Sequence, residues 1–277
     1  MMTYHAPLLR IAPLALAAAL WSTSPAHALV NGTDTSSFSA VGAVGGATGV
    51  LIADNWVLTA AHVANGIGAS TISFESLLGS SLIDGVYTFT SDAFPNNDIA
   101  LLHLATAIDA DTPILNDKVI KASQATSLGT LTIATAQNQS PNGVGTTTAI
   151  TAKPSYTDSS SGTSYTVNWL ITNGPAYVEG GDSGSALFKG AVSDSGGSLL
   201  LGVASASLTD AFGNPESAFV QVASYKSWID STMASSGQQA RWLSSPVPEP
   251  STVSLFAVAG LLALGHRGAR ALRRSAS

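Results

Sequence analysis

The 277-residue chain contains no cysteine. That excludes a disulfide framework, a thiol nucleophile and any Cys-ligated zinc site. Charge is also scarce, at 10% Asp, Glu, Lys and Arg, and it is one-sided. Over residues 29–245, sixteen acids stand against six bases, a net charge near −10. Binding to phosphate backbones needs a basic footprint, so nucleic acid is excluded as a partner. The same stretch holds only two histidines, His62 and His103, which leaves few side chains able to act as a base near neutral pH.

The two ends differ from the middle. Arg10 precedes an apolar stretch at residues 11–20, and Ala26-His27-Ala28 follows with a small-x-small pattern. This is the order of an export signal, cut by signal peptidase after Ala28 to begin the mature chain at Leu29. At the other end, a polar stretch at 234–245 leads to Pro246-Val247-Pro248-Glu249-Pro250, an apolar run at 253–264, and His266, Arg267, Arg270, Arg273 and Arg274. The run is shorter than the about 20 residues of a stable membrane span, and arginines behind it suit a cytoplasmic stop. These three parts in order resemble the PEP-CTERM sorting tail of Gram-negative bacteria. The resemblance implies cleavage by an exosortase, transient membrane association through the C-terminal helix, and a place in the cell envelope, at the surface or outside. A plain C-terminal anchor is the alternative.

Between the ends the pattern is all-β. Short runs rich in Val, Ile, Leu and Thr alternate with Gly/Ser/Asn/Asp clusters about every ten residues. Strands are expected at 49–58, 87–90, 99–104, 130–136, 146–151, 165–171, 186–188, 199–204 and 218–222, with a polar loop at 158–164. Only 224–233 reads as a helix, with Tyr225, Trp228 and Ile229 on one face. Such a chain makes a sandwich or barrels.

One pentapeptide carries chemistry. Gly181-Asp182-Ser183-Gly184-Ser185 places a hydroxyl between glycines, which suits a tight exposed turn. A serine attacks usefully only when an imidazole takes its proton and backbone N–H groups receive the oxyanion. A second Asp-Ser-Gly, within Ser193-Asp194-Ser195-Gly196-Gly197, lacks the preceding glycine and reads as a hairpin turn before an apolar strand. For a base, His103 lies inside an apolar strand and is expected at a surface or edge. His62 ends Thr59-Ala60-Ala61-His62, behind a strand that can present it to a cleft. Asp98, at the mouth of the apolar run Ile99-Ala100-Leu101-Leu102, is a part-buried charge in need of a partner.

Leu58-Thr-Ala-Ala-His62, Asn97-Asp-Ile-Ala-Leu-Leu102 and Gly181-Asp-Ser-Gly-Ser185 resemble the three active-site motifs of the chymotrypsin/trypsin-like serine proteases, in that family's order. Leu29-Val30-Asn31-Gly32 is similar to its mature N-terminus, and Tyr225-Lys-Ser-Trp228-Ile229 to its C-terminal helix. The resemblance implies two six-stranded Greek-key barrels with the site between them. Expected bounds are a signal peptide at 1–28, a protease domain at 29–233 (barrels at about 29–118 and 119–222, helix 223–233), a linker at 234–246 and the sorting signal at 247–277.

Carried over, Ser183 is the nucleophile, His62 the base and then the acid, and Asp98 the orienting carboxylate. The N–H groups of Gly181 and Ser183 make the oxyanion hole, and Ser205 supports Asp98 and lines the cleft. Asp182 is the implied partner of a newly cut N-terminal ammonium. Tyr177 stands six residues before the nucleophile, where the base of the primary pocket is usually set, so a preference for Arg or Lys is not supported. The substrate is protein or peptide, and no cofactor or metal is implied. Two other readings share the fold, a non-catalytic binding protein and an esterase-like hydrolase.

Overall fold

A computed structural model of the chain describes residues 29–67, 72–136, 142–192 and 197–244. The expected signal peptide, the sorting tail and most of the turn around Ser195 lie outside the described residues. The order of elements is β1 (Thr33–Thr35), β2 (Val41–Val44), β3 (Ala47–Ala53), β4 (Trp56–Thr59), α1 (Ala61–Ala64), β5 (Ser73–Ser76), β6 (Gly79–Thr88) and β7 (Ala100–Leu104). After β8 (Ile114–Leu115) and α2 (Ala122–Ala125) come β9 (Thr130–Thr135), β10 (Asn142–Thr157), β11 (Ser164–Asn173), β12 (Ala186–Lys189), β13 (Leu199–Thr209), β14 (Pro215–Gln221) and α3 (Lys226–Ala234).

Six strands close the first barrel in the order β2-β3-β4-β7-β6-β5. The second ring runs β9-β10-β11-β14-β13-β12 and returns to β9 through the β12–β9 pairing. The all-β, two-barrel expectation therefore holds. Closure removes the free strand edges that would otherwise invite aggregation.

Apolar alternation explains why these segments pair. Leu131, Ile133, Leu170, Leu187, Leu201 and Phe219 fill the second ring and are all at most 1% exposed. A larger cluster joins Val50, Leu58, Phe74 and Leu101 of the first barrel to Val203, Val220 and Ile229. Each such side chain contributes roughly 1.5–3 kcal/mol on burial. With no disulfide anywhere in the chain, these two clusters carry the stability.

Three local expectations change. The run 49–58 is not one strand, because Asp54-Asn55 turns the chain back and sets β3 against β4. The helix begins as a 3-10 turn at Val222–Tyr225 before α3, burying Tyr225 and Ile229. The stretch expected to be a polar linker is docked as far as Trp242, which is 4% exposed, bridges Leu115 and donates from Nε1 to Asp230 Oδ1 at 2.6 Å. The hydrophobic pull of one Trp outweighs its polar neighbours.

Candidate active site

His62 lies in the single turn of α1, directly after β4. Asp98 sits just before β7, and β4 pairs with β7 through Thr59 and Ala100. That pairing brings the two side chains together from positions 36 residues apart. Asp98 Oδ1 accepts the His62 backbone N–H at 2.8 Å, and Oδ2 meets His62 Nδ1 at 2.8 Å. A carboxylate only accepts, so Nδ1 carries the proton and Nε2 is left with its lone pair. Ser183 Oγ lies 2.7 Å from that Nε2 and donates to it.

Asp98 is 1% exposed, whereas the His62 side chain is 31% exposed and open to a cleft. A buried carboxylate needs several donors, and a fourth residue supplies one: Ser205 Oγ donates to Asp98 Oδ2 at 2.7 Å. The first barrel thus contributes His62 and Asp98, and the second contributes Ser183 and Ser205. His103, the other histidine among the described residues, is not part of this group. Its Nδ1 pairs with Asp84 Oδ1 at 2.5 Å, and its ring stands edge-on to Trp56.

The turn that presents Ser183 is fixed on every side. Gly184 N–H donates to Ala204 O at 2.8 Å, Ala204 N–H returns to Ser185 O, and Thr48 N–H donates to Ser183 O at 2.9 Å. Gly184 has φ +79°, and a Cβ there would lie 2.0 Å from Thr48 O. Only glycine fits. Gly181 also has a positive φ, +102°. Among the described residues no acceptor meets the N–H of Gly181 or of Ser183. Asp182, fully buried, accepts from Thr135 Oγ1 at 3.1 Å and from the Glu179 N–H at 2.9 Å.

Beside Ser183 opens a cavity of about 580 Å³, lined by Phe94, Pro95, Tyr156, Tyr165, Trp169, Asp158, Glu179, Gly180 and residues 205–208. Tyr177 is not among the lining residues, and its backbone pairs with Val30 instead. The carboxyl-bearing residues of this wall are Glu179 and Asp158. The aromatic lining, with Tyr156 stacked on Tyr165 and tilted against Trp169, had no short motif to announce it.

A second bridge between the barrels stands behind Asp98. Tyr225 Oη donates to Asn97 Oδ1 at 2.9 Å and accepts from Asn168 Nδ2 at 3.1 Å. Both asparagines have positive φ, 46° and 48°, a conformation that asparagine tolerates better than most residues. Burial pushes the Tyr225 phenol up to about 12; the Asp98 charge adds to the rise and the Asn168 bond opposes it. A proton held more tightly in the folded state gives stability that is present below the unfolded value near 10 and is lost as pH rises toward about 12. Thermal melts of the native chain and of Tyr225→Phe across pH 9–12 should show this. The native protein should lose on the order of 2–3 kcal/mol more than the variant over that window. Parallel curves would refute it.

No curated protein matches the chain. The Trypsin family model matches residues 30–229, and the chain belongs to that family.

Proposed function

We propose that this serine-type peptidase is a secreted endopeptidase working through an acyl-enzyme intermediate. The observation that carries the reading is the unbroken chain of short hydrogen bonds from Ser183 through His62 to Asp98 and Ser205, at 2.7, 2.8 and 2.7 Å. In the proposed reaction Ser183 Oγ attacks the scissile carbonyl carbon while its proton passes to His62 Nε2. Asp98 holds the tautomer and stabilises the imidazolium. The N–H groups of Gly181 and Ser183, unclaimed by acceptors among the described residues, receive the oxyanion. The C–N bond then breaks, the departing amine takes the proton from Nε2, and the acyl group remains on Ser183. A water molecule then gives one proton to His62 Nε2 and its oxygen to the acyl carbon, the acyl–Oγ bond breaks, Ser183 Oγ takes the proton back from Nε2, and the carboxylic acid leaves.

The protein is proposed to reach the cell envelope, surface or exterior of a Gram-negative bacterium after signal peptidase cuts behind Ala28. An exosortase would then act near Pro248-Glu249-Pro250, after transient membrane association of the tail. No helix among the described residues is long and apolar enough to cross a membrane, and the apolar run at 253–264 lies outside them. Leader removal is the proposed activating step, its new ammonium joining Thr135 and Glu179 around Asp182. Leu29 at that junction is fully buried.

Fluorophosphonate labelling of the processed protein tests the chemistry. One adduct on Ser183, located by mass spectrometry, is expected, followed by internal cleavage of a peptide library. An unlabelled Ser183 in folded protein would overturn the reading in favour of a binding role. Labelling with ester but no peptide hydrolysis would replace it with an esterase.

A further inference from the structure

Asp182 is fully buried one residue before Ser183, and its carboxylate is tied to a residue of the other barrel through two threonine hydroxyls. Thr135 Oγ1 lies 3.1 Å from Asp182 Oδ1, and Thr48 Oγ1 lies 2.9 Å from Thr135 Oγ1. Both threonines are fully buried, so their proton directions follow from donor counting. A carboxylate cannot donate, so Thr135 spends its single proton on Asp182. Thr135 must then accept, so Thr48 gives its proton to Thr135. The Thr48 oxygen keeps its lone pairs, and the Ala136 N–H donates to one of them at 3.0 Å.

The backbone of Thr48 is engaged on the same axis. Its N–H donates to the carbonyl of Ser183 at 2.9 Å. Its C=O accepts from Thr59 Oγ1 at 2.7 Å, and Thr59 ends β4, three residues before His62. One residue of the first barrel therefore holds the turn that carries the hydroxyl from both sides of Ser183 and the strand that delivers the imidazole. None of these contacts belongs to the chain of groups that moves protons.

We infer that Thr48 is a positioning residue, and that the Thr48–Thr135 hydroxyl pair sets the placement of the Ser183 turn against His62. The inference rests on the reading of Ser183 as the nucleophile. A hydroxyl relay of fixed proton direction holds Asp182 at one distance, whereas packing alone would allow it to slide. A displacement of about 1 Å in a reacting group costs on the order of 10²-fold in rate. The sequence carries no local sign of this, because the two threonines stand 87 residues apart.

The test compares the native protein with Thr48→Val, Thr48→Ser, Thr135→Val and the double valine variant. Readouts are kcat and KM on a peptide substrate, the second-order rate of fluorophosphonate labelling, and thermal midpoint. Thr48→Val keeps the shape and the contacts of its own N–H and C=O, and loses the hydroxyl with its bond to Thr135 and the one it accepts from the Ala136 N–H. Its kcat and labelling rate should fall roughly ten- to a hundredfold, with KM within twofold, while Thr48→Ser stays near the native rates. The double variant should be no slower than the worse single one, since both cut the same relay. Native kcat in Thr48→Val and Thr135→Val would overturn the inference. So would a Thr48→Ser as slow as Thr48→Val, or valine losses that multiply in the double variant. Should Thr48→Val fail to fold, Thr135→Val with its serine counterpart gives the same comparison. If native protein itself fails to label, the nucleophile reading falls, whatever the variants do.

Discussion

Ser183→Ala is expected to lower kcat about 10⁶-fold and to leave the thermal midpoint within a few degrees of the native value. The magnitude is the one found when the attacking hydroxyl of such a hydrogen-bonded group is removed alone. The physical reason is that, among the described residues, no other side chain offers an oxygen to His62 Nε2, which Ser183 Oγ meets at 2.7 Å. The turn survives because its bonds are made by backbone and by Asp182, not by Ser183 Oγ. Residual turnover of about 10³–10⁴ over water should remain, from substrate binding and the backbone donors. Single-turnover kinetics and calorimetry of the purified variant check both halves. A loss under a hundredfold, or a collapse of the melt, would contradict this account.

Asp98→Asn should cost about 10⁴-fold in kcat, the value associated with a forced wrong tautomer in this arrangement. In the native protein Asp98 accepts three hydrogen bonds, from the His62 N–H, from His62 Nδ1–H and from Ser205 Oγ–H. An amide presents one acceptor and one donor group. With the oxygen kept on the backbone N–H of His62, the new NH₂ faces Nδ1, which must then accept. The ring proton moves to Nε2 and points at Ser183, so the imidazole can no longer take the hydroxyl proton. KM should change little, because Asp98 at 1% exposure does not reach the cleft. Steady-state kinetics together with the imidazole ¹⁵N shifts of His62 would separate this from loss of structure. An Nδ1-protonated ring in a slow variant would count against the tautomer explanation.

Much of the site was readable because its constraints are local. Gly184 is required by a positive φ and by Thr48 O at 2.0 Å, and Asp182 folds back on Glu179 within three residues. Those demands compress into a pentapeptide. Asp98 and His62 were also legible, since His62 closely follows the apolar strand β4 and Asp98 closely precedes the apolar strand β7. Thr48 was not. In Ala47-Thr48-Gly49-Val50 a threonine reads as an ordinary strand residue, and what distinguishes it is a hydroxyl partner on β9. The cavity wall was equally silent. Tyr156 and Tyr165 are direct cross-strand partners, and between them and Trp169 the register shifts, Ser155 facing Thr166 but Lys153 facing Trp169. A bulge changes which face a side chain takes, and strand periodicity alone does not place bulges. The Asp54-Asn55 turn, by contrast, consists of ordinary turn residues, and the apolar run on either side of it masks the break.

The first barrel closes on itself using only residues 41–104. A ribosome releasing this chain therefore lets a complete barrel form while all six strands of the second ring, β9 to β14, are still to come. That early half carries an imidazole and a carboxylate but no hydroxyl for them to act upon. Ser205 and the strand that holds Gly184 in place follow more than a hundred residues later. The four side chains joined by short hydrogen bonds therefore meet only after the second ring has been synthesised, so strand order keeps that group incomplete during most of synthesis.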